Sequence, residues 1–161
     1  TLPESATEWS CVKDNHTGLI WEVKTDDGIR DKDNTYSWYN PDNNSNGGDV
    51  GTEDGGICSD IGHCDSFNYA NTINSHSLCG ANDWRMPNRE ELRSIVNYGY
   101  FNPAIDELYF PNTVSSLYWS ATPYSHFKTH AWPVSYSTGH VYGTKNKKSS
   151  LYKIRLVNTS L

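Results

Sequence analysis

GANDWRMPNREELRSIVNYG, residues 80–99, is the stretch that decides how this chain folds. Asn88 stands where a helix N-cap is wanted, and Glu91 three residues later completes capping-box spacing. Leu92, Ile95 and Val96 fall on one apolar stripe, and Gly99 is placed to end the helix. Upstream, residues 66–73 read as a second short helix. Further upstream, WSCVKDNHTGLIWEV (residues 9–23) reads as a hairpin turning at Asn15–Gly18, with Trp9, Cys11, Leu19, Trp21 and Val23 alternating inward. After Pro103 and Pro111 the chain reads as strands at residues 118–122, 131–136, 140–142 and 152–157, joined by Gly, Ser, Thr and Asn turns. A hairpin, two short helices and a run of strands predict an α+β domain with a mostly antiparallel sheet.

The chain has 161 residues, which fits one domain over residues 1–161. Only 35% of the residues are hydrophobic, yet there are six Trp and eleven Tyr. Each large ring buries about 150–250 Å², so a core of few aliphatics and many rings suits a loop-rich fold. Residues 25–66 are rich in Asp, Asn, Gly, Ser and Thr, with Tyr36, Trp38 and Tyr39 as aromatic islands. Those rings predict a long structured loop, and loops of that length in a small domain tend to carry function. No apolar run reaches the ~18 residues that span a bilayer, and a signal peptide or anchor is expected to lie outside these residues.

Four cysteines, an even number, predict two disulfides and an oxidising compartment. A metal site is the rival, since His63 lies among Cys58, Cys64 and Cys79, but no Cys-x-x-Cys pair supports it. Of three connectivities, Cys58–Cys64 with Cys11–Cys79 is favoured. The first closes a short loop, and the second ties the amino-terminal strand to the middle of the chain.

The net charge of −6 is unevenly spread. All nineteen Asp and Glu lie between Glu4 and Glu107, a stretch carrying −12 with its seven Lys and Arg; the rest carries +6. Such asymmetry suggests a surface with a charged partner. In the acidic part Asp26, Asp31, Asp33, Asn34 and Asp49 are candidate calcium ligands, because calcium takes six to eight hard oxygens. The plainer alternative is Asx-turns and solvated carboxylates. In the basic part Lys128, His130, Lys145, Lys147, Lys148 and Lys153 are candidates for contacting sulfates or phosphates, with Tyr142 available to stack on a sugar face. The plainer alternative makes Asn146–Lys148 a solubilising turn and Arg155 an internal residue. Trp84 and Arg85 read as a core ring and a structural ion pair. Overall acidity argues against nucleic acid. GxSxG, HExxH, P-loop and dinucleotide motifs are absent from the sequence.

CVKDNHTGLIWEVKTDDG (11–28), DKDNTYSWYNPD (31–42), the CG-x-x-DWRMPNREEL block (79–92), FPNT (110–113), YWSATPY (118–124), AWPV (131–134) and KIRLV (153–157) resemble, in order, the carboxy-terminal domain of the Legionella collagen-like adhesin. The resemblance runs over about residues 9–157. It implies a bacterial surface domain, and because that adhesin binds sulfated glycosaminoglycans it also implies a glycan-binding basic segment. A more distant likeness is to the formylglycine-generating branch of C-type-lectin-like folds, carried by Arg85, Pro87, Glu91, Trp119, Ser120 and Arg155. It implies a C-type-lectin-like fold. The catalytic cysteine pair of that branch has no counterpart here, since no Cys follows Trp119.

The function expected is a non-catalytic, extracellular module that binds a glycan or a host or environmental surface and requires no cofactor, with a loop-ordering calcium ion as an option. The alternative is a structural or assembly module, such as a trimerising cap or pilus-associated domain with a protein partner. An enzyme of the formylglycine-generating kind is the third reading.

Overall fold

The computed structural model describes residues 9–141 and 143–159. Among these are strands β1 (Cys11–Lys13) and β2 (Ile20–Glu22), helix α1 (Ser66–Ser75), a 3-10 turn (Leu78–Gly80), helix α2 (Arg89–Ser94), and strands β3 (Leu117–Pro123), β4 (His130–Ser135), β5 (Lys145–Asn146) and β6 (Val157–Asn158). The strands form two three-stranded antiparallel sheets, β1-β2-β6 and β3-β4-β5, where one sheet was expected. Both expected disulfides, Cys11–Cys79 and Cys58–Cys64, are present. The longer one encloses a separation of 68 residues, which in the chain-entropy account stabilises the fold by about 4 kcal/mol.

The hairpin turns where expected: Asp14 accepts from the backbone N–H of His16 and the hydroxyl of Thr17, and Gly18 donates to the Asp14 carbonyl. Its second strand does not alternate in burial. β2 is central, with β1 on one side and β6 on the other, and all three of its residues are buried. Ile20 joins a core with Trp38, Tyr69, Trp84, Trp119 and Leu156. Trp21, pointing the opposite way, joins a second core with Leu92, Ile105, Phe110, Tyr118 and Tyr136. β3 repeats the division, sending Trp119 to the first core and Tyr118 to the second. The two sheets meet through residues 152–157, where Lys153 bridges Tyr118 of β3 and Val157 pairs with Trp21 of β2.

α1 starts on Asp65, whose buried carboxylate accepts the N–H groups of Phe67, Asn68 and Asp54. α2 has the expected capping box between Asn88 and Glu91. It ends at Ser94, five residues before Gly99. The chain leaves the helix at Ile95 so that the N–H of Asn97 can reach the Ala104 carbonyl. The strand expected at residues 140–142 is not formed by His140 or Val141. The N–H of Gly139 reaches the Ser135 carbonyl and that of Ser135 the His140 carbonyl, closing a turn instead.

The long loop is ordered by its own polar side chains. Asp31, Asn40, Asp42, Asn46 and Asp49 each accept the N–H two residues ahead, a run of Asx-turns. Trp38 is anchored by a bond from its indole N–H to the Ser120 carbonyl, and Trp119 by one to the Tyr36 carbonyl. Gly51, at φ +85°, passes so close to the Trp38 carbonyl that a Cβ would meet it at 1.9 Å.

At the join of the hairpin, α1 and the closing segment lies a buried ionic cluster. The Glu22 carboxylate accepts from Lys24 Nζ at 3.1 Å, from the backbone N–H of Leu156 at 2.9 Å, and from the Tyr69 hydroxyl. Arg155, as the plainer alternative had it, is internal: it donates to the Glu22 carbonyl and to the Thr113 hydroxyl, both at 2.7 Å. Burial holds the Lys24 ammonium below its ordinary value against the attraction of Glu22.

Removing one partner of a buried ion pair leaves the other uncompensated. Glu22→Gln is therefore expected to lower unfolding free energy by about 3–5 kcal/mol in denaturant titration. Burial, with the Glu22 carboxylate as the next cause for Tyr36 and Tyr69, pushes the phenols of Tyr36, Tyr69, Tyr118 and Tyr136 above their ordinary value of 10.0. Their contribution to stability is complete below about pH 10 and is lost as pH climbs toward the raised folded-state values, because only the unfolded chain ionises them readily. Alkaline titration should give one cooperative unfolding step above about pH 10 in which the phenolate absorbance of these four buried rings appears together with the loss of circular dichroism. Four phenols that ionise while the fold persists would contradict this.

Candidate functional site

The structure sorts the basic candidates by their partners. Lys147 is 0% exposed and points inward. Its Nζ donates to the carbonyls of Asn46 (2.7 Å), Asp49 (2.9 Å) and Lys128 (2.7 Å), and it lies 4.2 Å from the Trp38 ring centre. Burial brings its pKa down to about 8, leaving it charged at neutral pH. Lys147 is thus a pin between the long loop and the second sheet, which corrects its expected place on a ligand face. Lys148 pairs with Asp49 at 3.1 Å, and Lys153 Nζ donates to the Asp33 carbonyl at 2.7 Å. Tyr142 lies outside the described residues.

Lys128 and His130 lie together at one turn, while Lys145 sits on the neighbouring strand, on the other face from His130. Lys128 is exposed at the turn between β3 and β4, with its aliphatic stem beside Gly48. Lys145 lies opposite Ala131, and Asn146 opposite His130, in the β4–β5 pairing. Among the described residues neither Lys128 nor Lys145 pairs with a carboxylate. A ring cluster lies beside Lys128 and His130: Tyr124 contacts His126, Phe127 and Trp132, and Phe127 contacts His130, at centroid distances of 5.2–5.8 Å. Phe127 is 61% exposed. Arg89 stacks over Trp132 at 4.9 Å, and Arg89 and Arg93 share the single carboxylate of Glu90. The surface therefore combines flat apolar rings with an excess of positive charge.

The five proposed calcium ligands do not form one cage. Asp26 and Asp33 are both taken by the Lys32 ammonium. Asp31 caps the N–H of Asp33. Asn34 is buried, with its amide spent on the carbonyls of Gly28 and Ile29 and on Ser59. Asp49 sits in another turn: burial would raise its carboxyl, but the Gly51 N–H and the Lys148 ammonium hold it below the ordinary value. Among the described residues, no three His, Cys, Asp or Glu side chains converge as metal ligands. The acidic residues serve as turn formers and as partners for cations, so this set does not fit a calcium ion.

A second feature was not anticipated. A cleft of about 330 Å³ lies between α1 and the 38–40 segment of the long loop, walled by Trp38, Tyr39, Phe67, Trp84 and Met86. Trp84 is the expected core ring. Arg85 forms the expected ion pair, donating to both oxygens of Glu91 at 2.9 and 2.8 Å, although half-exposed. That pairing raises the arginine and, together with the Asn88 N–H, lowers the glutamate despite partial burial. The sequence signal for this cleft was Tyr39 beside Trp38, together with Phe67 on the polar side of an amphipathic helix.

No helix among the described residues is long and apolar enough to cross a membrane. Comparison with curated proteins and with solved structures gives no match, so the C-type-lectin-like assignment stays an implication of the resemblance. A family model described as the Lcl C-terminal domain matches residues 10–158, spanning β1 to β6. The match and the two disulfides point together to an extracellular or cell-surface domain of adhesin-like type. The chain belongs to the Lcl C-terminal domain family.

Proposed function

We propose that this domain is a non-catalytic, lectin-like module that binds carbohydrate, with a sulfated or otherwise anionic glycan as its preferred ligand, at the surface of a bacterium. One observation carries the reading: exposed Phe127, in ring contact with Tyr124 and His130, adjoins Lys128, whose ammonium pairs with no carboxylate among the described residues. Rings accept the C–H face of a sugar, and cations beside them accept sulfate or carboxylate. Membership of an adhesin-like family supports the same reading. All four cysteines are committed to disulfides, which supports binding without the cysteine chemistry of the formylglycine-generating branch. No cofactor is needed for such binding.

A second reading, assembly with copies of itself or with a protein partner, draws on a different observation. Tyr98, Tyr100, Phe101, Leu108 and Tyr109 are large apolar residues on the surface, with Phe101 78% and Leu108 76% exposed. A trimer in the full-length protein would cover them.

Immobilised heparin should retain the domain at low salt and release it as salt rises, because exposed charge pairs are screened. The double variant Lys128→Ala/Lys145→Ala should weaken binding about threefold to tenfold, while Lys153→Ala should change it little. Absence of binding to heparin and to every member of a broad glycan array would refute the reading. Light scattering on the eluted protein tests assembly: a trimer that becomes monomeric in Phe101→Asp/Leu108→Asp supports it, and a monomer at all concentrations rejects it.

A further inference from the structure

We infer that the cleft between α1 and the 38–40 segment is a separate subsite for an uncharged pyranose, a neutral hexose or an N-acetylhexosamine. The inference rests on the reading of this domain as a carbohydrate binder. It concerns a surface other than the cationic ring cluster around Phe127.

Size and rigidity come first. At about 330 Å³ the cleft is at the small end of ligand pockets, which run from roughly 300 to 1,000 Å³. Its walls are fixed before any ligand arrives. Ser66, the first residue of α1, clamps Tyr39 from both sides: its Oγ accepts the Tyr39 N–H at 2.9 Å and donates to the Tyr39 carbonyl at 2.8 Å. Asn74, near the end of the same helix, does likewise for Trp84, accepting its N–H at 2.7 Å and donating to its carbonyl at 2.9 Å. One helix thus sets the spacing of both aromatic walls. A preformed site spares the ligand the cost of ordering side chains.

The chemistry of the lining then selects the ligand. Tyr39 and Phe67 meet edge to face at 6.1 Å, and Phe67 is 41% exposed although it lies on a helix with its own buried face of Tyr69, Ala70 and Ile73. An exposed ring beside a second ring, over a floor of Trp38, Trp84 and Met86, suits the apolar face of a sugar. Asn71 is exposed on the rim and its side-chain amide makes no hydrogen bond within the described residues, leaving a donor and an acceptor for hydroxyl or acetamido groups. Of the lining residues, Arg85 alone carries a full charge, and Glu91 neutralises it in a two-point pair. An anionic sugar would have to displace that carboxylate, whereas a neutral one uses the N–H groups that Glu91 leaves over. An apolar peptide side chain would fill the rings but leave the Asn71 amide without a partner.

The test titrates the 161-residue chain with the methyl glycosides of glucose, galactose, mannose, fucose, N-acetylglucosamine and N-acetylgalactosamine. Amide NMR shifts and tryptophan fluorescence are followed at low and at high salt. At least one glycoside should give saturable shifts at residues 39, 67, 71 and 85 with an affinity that salt leaves unchanged. Phe67→Ala should weaken it about tenfold while the unfolding midpoint and heparin retention stay as in the parent. Retention on heparin with no glycoside acting on these residues would overturn the subsite and leave the proposed function standing. Salt-sensitive binding, or binding indifferent to Phe67→Ala, would also overturn it. Failure of heparin and the whole glycan array together would remove the reading beneath it.

Discussion

The carboxylate of Glu22 is the point on which the rest of this structure depends. It sits in the central strand of the first sheet, without contact with water, and is held by Lys24, by Tyr69 from α1, and by the backbone of Leu156. Arg155 grips the carbonyl of the same residue. Segments 47 and 134 residues away along the chain are thereby brought to a single anion. Charges in such a place are costly, and the arrangement persists because the Glu22 carboxylate accepts from Lys24, Tyr69 and the Leu156 backbone at once. The two aromatic cores then pack on either side of the strand that carries it.

A similar economy governs the uneven charge of the sequence. The acidic stretch and the basic stretch meet in the fold, at the surface for Lys148 and Lys153 and in the interior for Lys147. Asp49 takes Lys148, the Asp33 carbonyl takes Lys153, and three carbonyls of the loop and turn enclose Lys147. The positive charge left without a carboxylate partner is smaller than the sum of charges suggests. Lys128 and Lys145 belong to that remainder.

Features set by near neighbours could be read from the sequence. Asn88 and Glu91 cap α2 because the contact needs three residues and nothing else. The cysteine pairing followed from which closures were short and which tied distant elements together. Features that depend on distant partners could not be read in this way. Nothing local to Lys147 reveals that the carbonyls of Asn46, Asp49 and Lys128 converge on it. Nothing local to β2 reveals that β6 covers its free edge and buries Glu22 with it. The acidic loop looked like a set of metal ligands because Asp and Asn serve turns and cations with the same oxygens. In this chain the Asx-turns and Lys32 claimed them. The cleft depends on α1 holding Tyr39 and Trp84 at once, a relation with no signature in spacing.

The bond between Cys11 and Cys79 has a mechanical consequence for a domain of adhesin-like type. Tension that enters the backbone ahead of Cys11 is passed across the sulfur bridge to Cys79, and from there along the remainder of the chain. Residues 12–78 lie on the slack side of that bypass. They include Glu22, Lys24 and Tyr69, the whole long loop, and the Tyr39 and Phe67 walls of the cleft. While the bridge is intact, a pull along the chain cannot lengthen that part, so Glu22 with its partners and the spacing of Tyr39 and Phe67 are kept under load.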